Sequence, residues 1–540
     1  MTSQIPTRQA ILGRSGCNTL VITMPPAIGT RSTLTTQPNN NAGIMRLPDE
    51  LLLQVVKYVG YPILSQLGGH VKNYADSAAL AKTCLRFYRL TIPVMYSRLF
   101  VSINSITSNS PSMSAIAARK LHQTLSQNPW LRQHCRALHL GIGDTTHPKI
   151  QLPIVEDLAH RLTQTRRLSI HGGFQTAAKG TWSVIRTAVA HMPLLEEVHL
   201  HREGRGLRLP DVFEALGSAA HLRVLHLGGI SPTPHSVSWG AFKVRPAHSV
   251  ANSANCYSKG PVLITMPSWR ACPQKGSSSL SSLSITDFSD SPAHLASLIS
   301  WPARLESFSF KRMYSNEFGP WTLPTVLSAL HQHKASLQTL SLGGWCVQRG
   351  FSWFDFAKFD SLQSLSLPAY ATGCLIGDIS WDVLKVTRLQ VFRWSLAREG
   401  EDCESLFDFG QQHEDWLRAF AIGAWERKLP LRRIEIEYQP FSWSVWEMEG
   451  GVSRPEVYPW DRMDRLKSEM QEMGILLSYD TPTVSRDEFE GKPEVRVDGD
   501  VMTEDFSWSE SWLETEEECQ AESNLAQANT ILNYFSATSS

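Results

Sequence analysis

Imidazole is the side chain whose charge most readily changes near neutral pH, and five histidines recur here in comparable settings. His139, His171, His199, His201 and His226 each lie in or beside a short apolar hexamer, with Arg167 and Glu197 among them. Residues two apart on a strand share a face, so His199 and His201 would project together. Two chemistries follow. Imidazoles around Arg167, in surroundings poor in lysine, would accept an acidic or phosphorylated peptide, more strongly below about pH 6.5. The same group could hold zinc, with Glu197 or Glu203 as the acidic ligand. No cysteine stands beside them and neighbouring strands diverge along a curved sheet, so neither metal nor cofactor is expected. The plainer alternative is a set of solvated outward side chains with no ligand.

Catalytic signatures are lacking. There is no G-x-S-x-G, H-E-x-x-H, P-loop or G-x-G-x-x-G; no catalytic residue is singled out and an enzyme is not expected. The nine cysteines contain no C-x-x-C pair, which removes the main support for zinc ribbons and disulfide scaffolds. The 540 residues are 42% hydrophobic and 19% charged, which excludes a wholly disordered chain. No apolar run is long enough to span a membrane. Lysine and arginine balance aspartate and glutamate at 51 each. Yet residues 480–522 hold 15 acidic against 3 basic, a net of −12. The basic residues elsewhere are scattered, so nucleic acid is not an expected partner. A reducing compartment, cytoplasm or nucleus, fits the cysteine usage.

The histidines are positioned by a repeated element. Leu-x-x-apolar-x-apolar occurs at Leu195, Leu222, Leu280, Leu305, Leu337, Leu362, Leu389 and Leu431, with weaker copies led by Cys135 and Thr165. The central residues 138, 168, 198 and 225 step by 30, 30 and 27; after a gap of 58, residues 283, 308, 340, 365 and 392 step by 25, 32, 25 and 27. Helical patterns fall between them at 115–127, 152–161, 184–191, 210–220, 292–299, 323–333 and 414–428. Strand, loop and helix repeated at this period predict an α/β solenoid, with parallel strands on its concave side and helices outside. The gap, residues 231–279, is rich in Ser, Pro and Asn and reads as a looped insertion or one decayed repeat. The outward strand positions change along the chain. The histidines come first, then Ser282, Ser284, Ser307, Ser309, Thr339, Ser341, Ser364 and Ser366, and finally Val391, Arg393, Arg433, Glu435 and Glu437. Six of the 17 tryptophans (Trp345, Trp353, Trp381, Trp394, Trp416, Trp425) concentrate in the later repeats, where packing explains them.

Ahead of the repeats, apolar residues at 51, 52, 55, 56 and 59 predict a helix, opened by Pro48, Asp49 and Glu50 and stopped by Gly60 and Pro62. A second helix is predicted over 77–90, ended by Pro93. A pattern over 459–473 predicts a further helix and 475–479 a strand, together a cap for the array. Residues 1–43 read as a disordered leader, and 480–540 as an acidic, disordered tail.

The string Leu47-Pro48-Asp49-Glu50-Leu51-Leu52, followed by Leu80 to Phe87 with Cys84 between and by Pro93-Val94-Met95-Tyr96, resembles an F-box of the kind common in fungal proteins. The following array resembles the irregular leucine-rich repeats that often accompany that module. The resemblance implies an F-box-like helical domain at 44–101 and a repeat solenoid at 102–479. It implies a substrate-recognition subunit of a cullin–RING ubiquitin ligase of the SCF type. A Skp-type adaptor would be contacted by Leu47, Pro48, Leu51 and Val55. A target protein would lie on the repeat surface, at His139, Arg167, His171, His199, His201 and His226. The competing expectation is a repeat scaffold without a ligase link, whose helical head is only a cap.

Overall fold

The computed structural model describes residues 43–60, 74–103, 113–143, 152–174, 178–202, 206–230, 274–311, 323–343, 356–372, 386–396, 409–438 and 457–490. The expected leader up to residue 42, nearly all of the expected insertion and the tail beyond 490 lie outside the described residues.

Three helices open the chain: α1 (Asp49–Gly60), α2 (Tyr74–Thr83) and α3 (Leu85–Ser97). Asp49 and Glu50 occupy the first turn of α1, where carboxylates offset the positive helix end. Leu52 and Val56, one turn apart, are buried with Phe87 and Val94; Leu47, Leu53, Leu80 and Leu90 pack partly against them. The second predicted helix is in fact two. Cys84 adopts extended backbone between α2 and α3, and α3 continues through Pro93 to Ser97 rather than stopping there. A proline inside a helix costs about 3 kcal/mol. Here Ile92, Val94, Met95 and Tyr96 flank it and are all buried. At roughly 1.5–3 kcal/mol for a fully buried large apolar side chain, their burial outweighs the lost hydrogen bond.

Immediately after α3 comes strand β1 (Arg98–Ser102), which the hexamer pattern did not predict. The expected boundary between residues 101 and 102 falls inside it. The other strands are β2 (Ala137–Ile142), β3 (Arg167–Gly172), β4 (Glu197–His201), β5 (Val224–Ile230) and β6 (Ser282–Phe288). They continue as β7 (Ser307–Lys311), β8 (Thr339–Gly343), β9 (Ser364–Pro368), β10 (Val391–Ser395), β11 (Arg433–Glu437) and β12 (Leu476–Tyr479). All twelve form one parallel sheet in sequence order. The arrangement is mixed α/β and solenoid-like.

Register explains why the hexamer works. Central residues Leu138, Leu168, Val198 and Leu225 are Cα partners in turn, and the row continues through Leu283, Phe308, Leu340, Leu365, Phe392 and Ile434. Strands such as β4, β7, β9 and β11 alternate, with the apolar position buried and the residue between half-buried or exposed, whereas β3 also buries Ser169 between Leu168 and Ile170. Purely parallel sheets ordinarily bury both faces under helices. This alternation instead leaves one face partly open, as stacked repeats require. Backbone ties add a second regularity at the strand entrances. The Arg136 carbonyl accepts from the N–H groups of Arg166 and Arg167, and that of Arg166 accepts from Glu196 and Glu197. The pattern then repeats at Glu196, Arg223, Ser281, Glu306, Gln338, Gln363 and Gln390.

β5 pairs directly with β6, from Val224 with Ser282 to Ile230 with Phe288. No further strand therefore sits between them, which favours a looped insertion over a decayed repeat. Helices α4 (Met113–Gln127), α5 (Leu152–Arg161), α6 (Ala178–His191), α7 (Leu209–Leu216), α8 (Pro292–Ser300), α9 (Leu323–Leu330), α10 (Gln411–Glu426) and α11 (Pro459–Glu472) fall where helical patterns were read, with α6 longer than predicted. The turn from β3 toward α6 needs glycine. Gly173 has φ +75°, and an added Cβ would lie 2.5 Å from Ile142 Cγ2. Of the six late tryptophans, Trp394 and Trp416 are buried and stacked with centroids 5.0 Å apart, whereas Trp425 is exposed. Trp345, Trp353 and Trp381 lie outside the described residues. A separate unit begins at Val484. Within it, the short helix α12 (Arg486–Phe489) is capped by Ser485, whose Oγ accepts from the Glu488 N–H.

Candidate recognition surfaces

Helix α1 carries two apolar stripes. Leu52 and Val56 face the core of the head, as described. Leu51, Val55 and Tyr58, at i, i+4 and i+7, share another side. Leu51 is 51% exposed and Tyr58 73%, while Val55 is half-buried. Upstream, Leu47 is half-buried and Pro48 exposed. Exposed large apolar residues side by side on one short helix are a feature of interaction surfaces. Arg86 fixes the entry to this helix. Its Nη2 donates to the Leu47 carbonyl and its Nε to Asp49 Oδ1, both at 2.7 Å. Sequence reasoning missed Tyr58 and Arg86. The i+7 spacing from Leu51 was the available signal for Tyr58; none pointed to Arg86, which acts from another helix.

The histidine face is built by strand register. Along one row of Cα partners stand Phe100, His139, Ser169, His199, His226 and Ser284. His139 stacks on Phe100 with centroids 4.4 Å apart, and His199 stacks on His226 at 4.1 Å. A row lower, Arg167 Nε donates to Glu197 Oε2 at 2.6 Å. His199 Nε2 meets the other oxygen, Oε1, at 2.5 Å. A row higher, the His171 and His201 rings lie 5.6 Å apart. His201 leans over Gly228, where an added Cβ would stand 2.2 Å from its Nδ1. The structure thus brings Arg167, His199 and His226 around Glu197, an outward strand position that the sequence also offered as a metal ligand. His139 stands two strands away from His199. His171 and His201 form a second pair. Farther along, Arg393 and Arg433 both reach Glu435, so the mixed-charge end is internally paired.

Electrostatics alter the expected pH response. Burial, then the Arg167 and Arg98 guanidiniums, push the His139 imidazole down to about 4. Burial and neighbouring His199 push His226 down to about 4, against the opposing pull of Glu197. Both rings are neutral at pH 6.5, so for them the expected gain of positive charge moves to much lower pH. Burial pushes the Glu197 carboxyl up, but hydrogen bonds from His199 and Arg167 more than reverse this and hold it below its ordinary value. Histidines depressed in the folded state contribute stability that is complete above about pH 6.5 and is lost as pH falls toward about 4. NMR titration of the ring resonances should give midpoints near 4 for His139 and His226; midpoints near 6.5 would refute this.

No protein-family model and no curated protein matches the chain. Among solved structures, the crystal structure of a Rad7 and Elc1 complex in yeast overlaps 60% of this chain and 83% of that chain. Identity is 11% and the TM-score 0.24, too low to carry an argument about fold or function. Among the described residues, no helix is long and apolar enough to cross a membrane.

Proposed function

We propose that this protein is a substrate receptor of a cullin–RING ubiquitin ligase, its head an F-box and its sheet-bearing unit a run of irregular leucine-rich repeats. The head docks a Skp-type adaptor through Leu47, Pro48, Leu51 and Val55. The outward strand face, including His139, Arg167, His171, His199, His201 and His226, holds a target protein. The receptor performs no bond chemistry. It raises the effective concentration of target lysines near a ubiquitin-charged enzyme. One observation carries the reading: α1 buries Leu52 and Val56 yet leaves Leu51 and Tyr58 in solvent beside Pro48. A helix serving only as a cap needs no second apolar stripe.

Capture of the full chain by a purified Skp-type adaptor tests it. Replacing Leu47 and Pro48 together with alanine should abolish capture while the circular dichroism spectrum stays unchanged. Leu51→Asp should do the same. Arg86→Ala, which frees the start of α1, should weaken capture severalfold. Undiminished capture by the double variant would remove the assignment.

A further inference from the structure

We propose that Glu197, His199 and His226 form a binding site for a divalent transition-metal cation of the zinc class. A carboxylate oxygen and one ring nitrogen from each histidine all lie within 4.8 Å of one another, and all three residues are half-buried. The backbone fixes this set. Glu197 and His199 are two apart on β4, on the same face, and His226 is the Cα partner of His199 on β5. The β4–β5 pairing therefore places the three donors together before any ion arrives.

The donor chemistry selects the cation. Two imidazoles and one carboxylate suit zinc, cobalt, nickel or copper, whereas calcium and magnesium prefer oxygen ligands throughout. The surroundings supply a supporting shell. Arg167 Nε holds Glu197 Oε2 at 2.6 Å and leaves Oε1 for the ion. Ligating carboxylates are commonly held in this way by a second hydrogen bond. The hydrogen bond between His199 Nε2 and Glu197 Oε1, at 2.5 Å, occupies the ion's place in the free protein. Binding replaces that hydrogen bond: Nε2 gives its lone pair to the ion, and the neutral ring carries its proton on Nδ1. The two rings are stacked only 19° from parallel. Rotation about their Cβ–Cγ bonds, a broad torsion, turns both nitrogens onto one ion. Remaining coordination positions go to water. The nearby Arg167 charge opposes the cation, so micromolar rather than nanomolar affinity is expected. This site does not depend on the ligase reading.

The test uses the full chain, stripped with chelator and titrated with zinc chloride by calorimetry at pH 7.5. One zinc per chain is expected. His226→Ala and Glu197→Gln should each weaken binding at least about tenfold. His160→Ala removes one member of another close histidine pair, 4.2 Å from His191, and should leave zinc binding unchanged. Absence of uptake, or uptake indifferent to both His199→Ala and His226→Ala, would overturn the proposal. If those variants fail to fold, the unaltered chain decides it. Zinc must shift the ring nitrogen resonances of His199 and His226 and leave those of His160 in place; unmoved His199 and His226 resonances also overturn it.

Discussion

Trp394→Ala should lower the stability of the sheet-bearing unit by about 3–5 kcal/mol, the range for removing a fully buried large aromatic. The indole is completely buried on β10. It stacks on Trp416 of α10 and meets the rings of Phe409 and His413 at 6.5 and 5.7 Å. Its Nε1 donates to Thr372 Oγ1 at 3.1 Å, a buried hydroxyl that the substitution would leave without this donor. Cavity, lost ring contacts and lost hydrogen bond all act in the same direction. Trp394→Phe keeps most of the volume and should cost about 1–2 kcal/mol, largely the hydrogen bond. Trp425, 59% exposed on the same helix as Trp416, gives the contrast: its alanine variant should stay within about 0.5 kcal/mol. Urea denaturation followed by circular dichroism separates these cases. A Trp394→Ala midpoint no lower than that of Trp425→Ala would contradict the packing described.

The repeat architecture was readable because one requirement recurs. In each hexamer the fourth and sixth side chains are apolar, as is the first in all but the copy led by Thr165, and parallel register aligns the fourth of one strand with the fourth of the next. Spacing alone then places Leu168 beside Val198 and His199 beside His226. β1 escaped notice because Arg98-Leu-Phe-Val-Ser follows a helix with no leading leucine three residues before Leu99. Its assignment comes from pairing with β2, a tertiary fact. Pro93 misled because a local backbone rule lost to burial around it. On the histidine face, the rows were legible but the hydrogen bonds were not. Glu197 could have turned to solvent; Arg167 from β3 and His199 from its own strand hold it in place. The charge state of His226 likewise follows from burial, which spacing cannot supply. At the head, helical spacing put Leu51 and Val55 on one side of α1, whereas Arg86 reaches the Leu47 carbonyl from 39 residues along the chain, which spacing cannot show.

Glu414→Gln should destabilise the same unit by about 3 kcal/mol and remove the part of its acid sensitivity that lies below the ordinary carboxylate value. Glu414 lies on α10 with its side chain only 2% exposed. Three guanidiniums converge on it: Arg418 of its own helix at 2.7 Å, and Arg462 and Arg465 of α11 at 3.0 and 2.9 Å. Arg418 also reaches Glu469 on α11 at 2.6 Å, so the network pins the two helices together. A buried ion pair adds little over a well-packed apolar pair, but removing one member strands the other. Here one neutral amide would face three cations. Burial alone would raise the Glu414 carboxyl, but hydrogen bonds from Arg465, Arg418 and Arg462 hold it below its ordinary value. A depressed carboxyl contributes stability that is present above the ordinary carboxylate value and is lost as pH falls through the depressed one. Both chains should lose stability between pH 6.5 and about 4, where His139 and His226 act, but below the ordinary carboxylate value denaturation midpoints should fall less steeply in the glutamine variant than in the parent chain. Asp415→Asn is the control. Asp415 meets Arg418 at 2.8 Å but is 58% exposed, and pairs of that kind are worth about 0–1 kcal/mol. Equal losses in the two variants would show that burial, and with it the convergence of α11 on Glu414, is not what sets the strength of this contact.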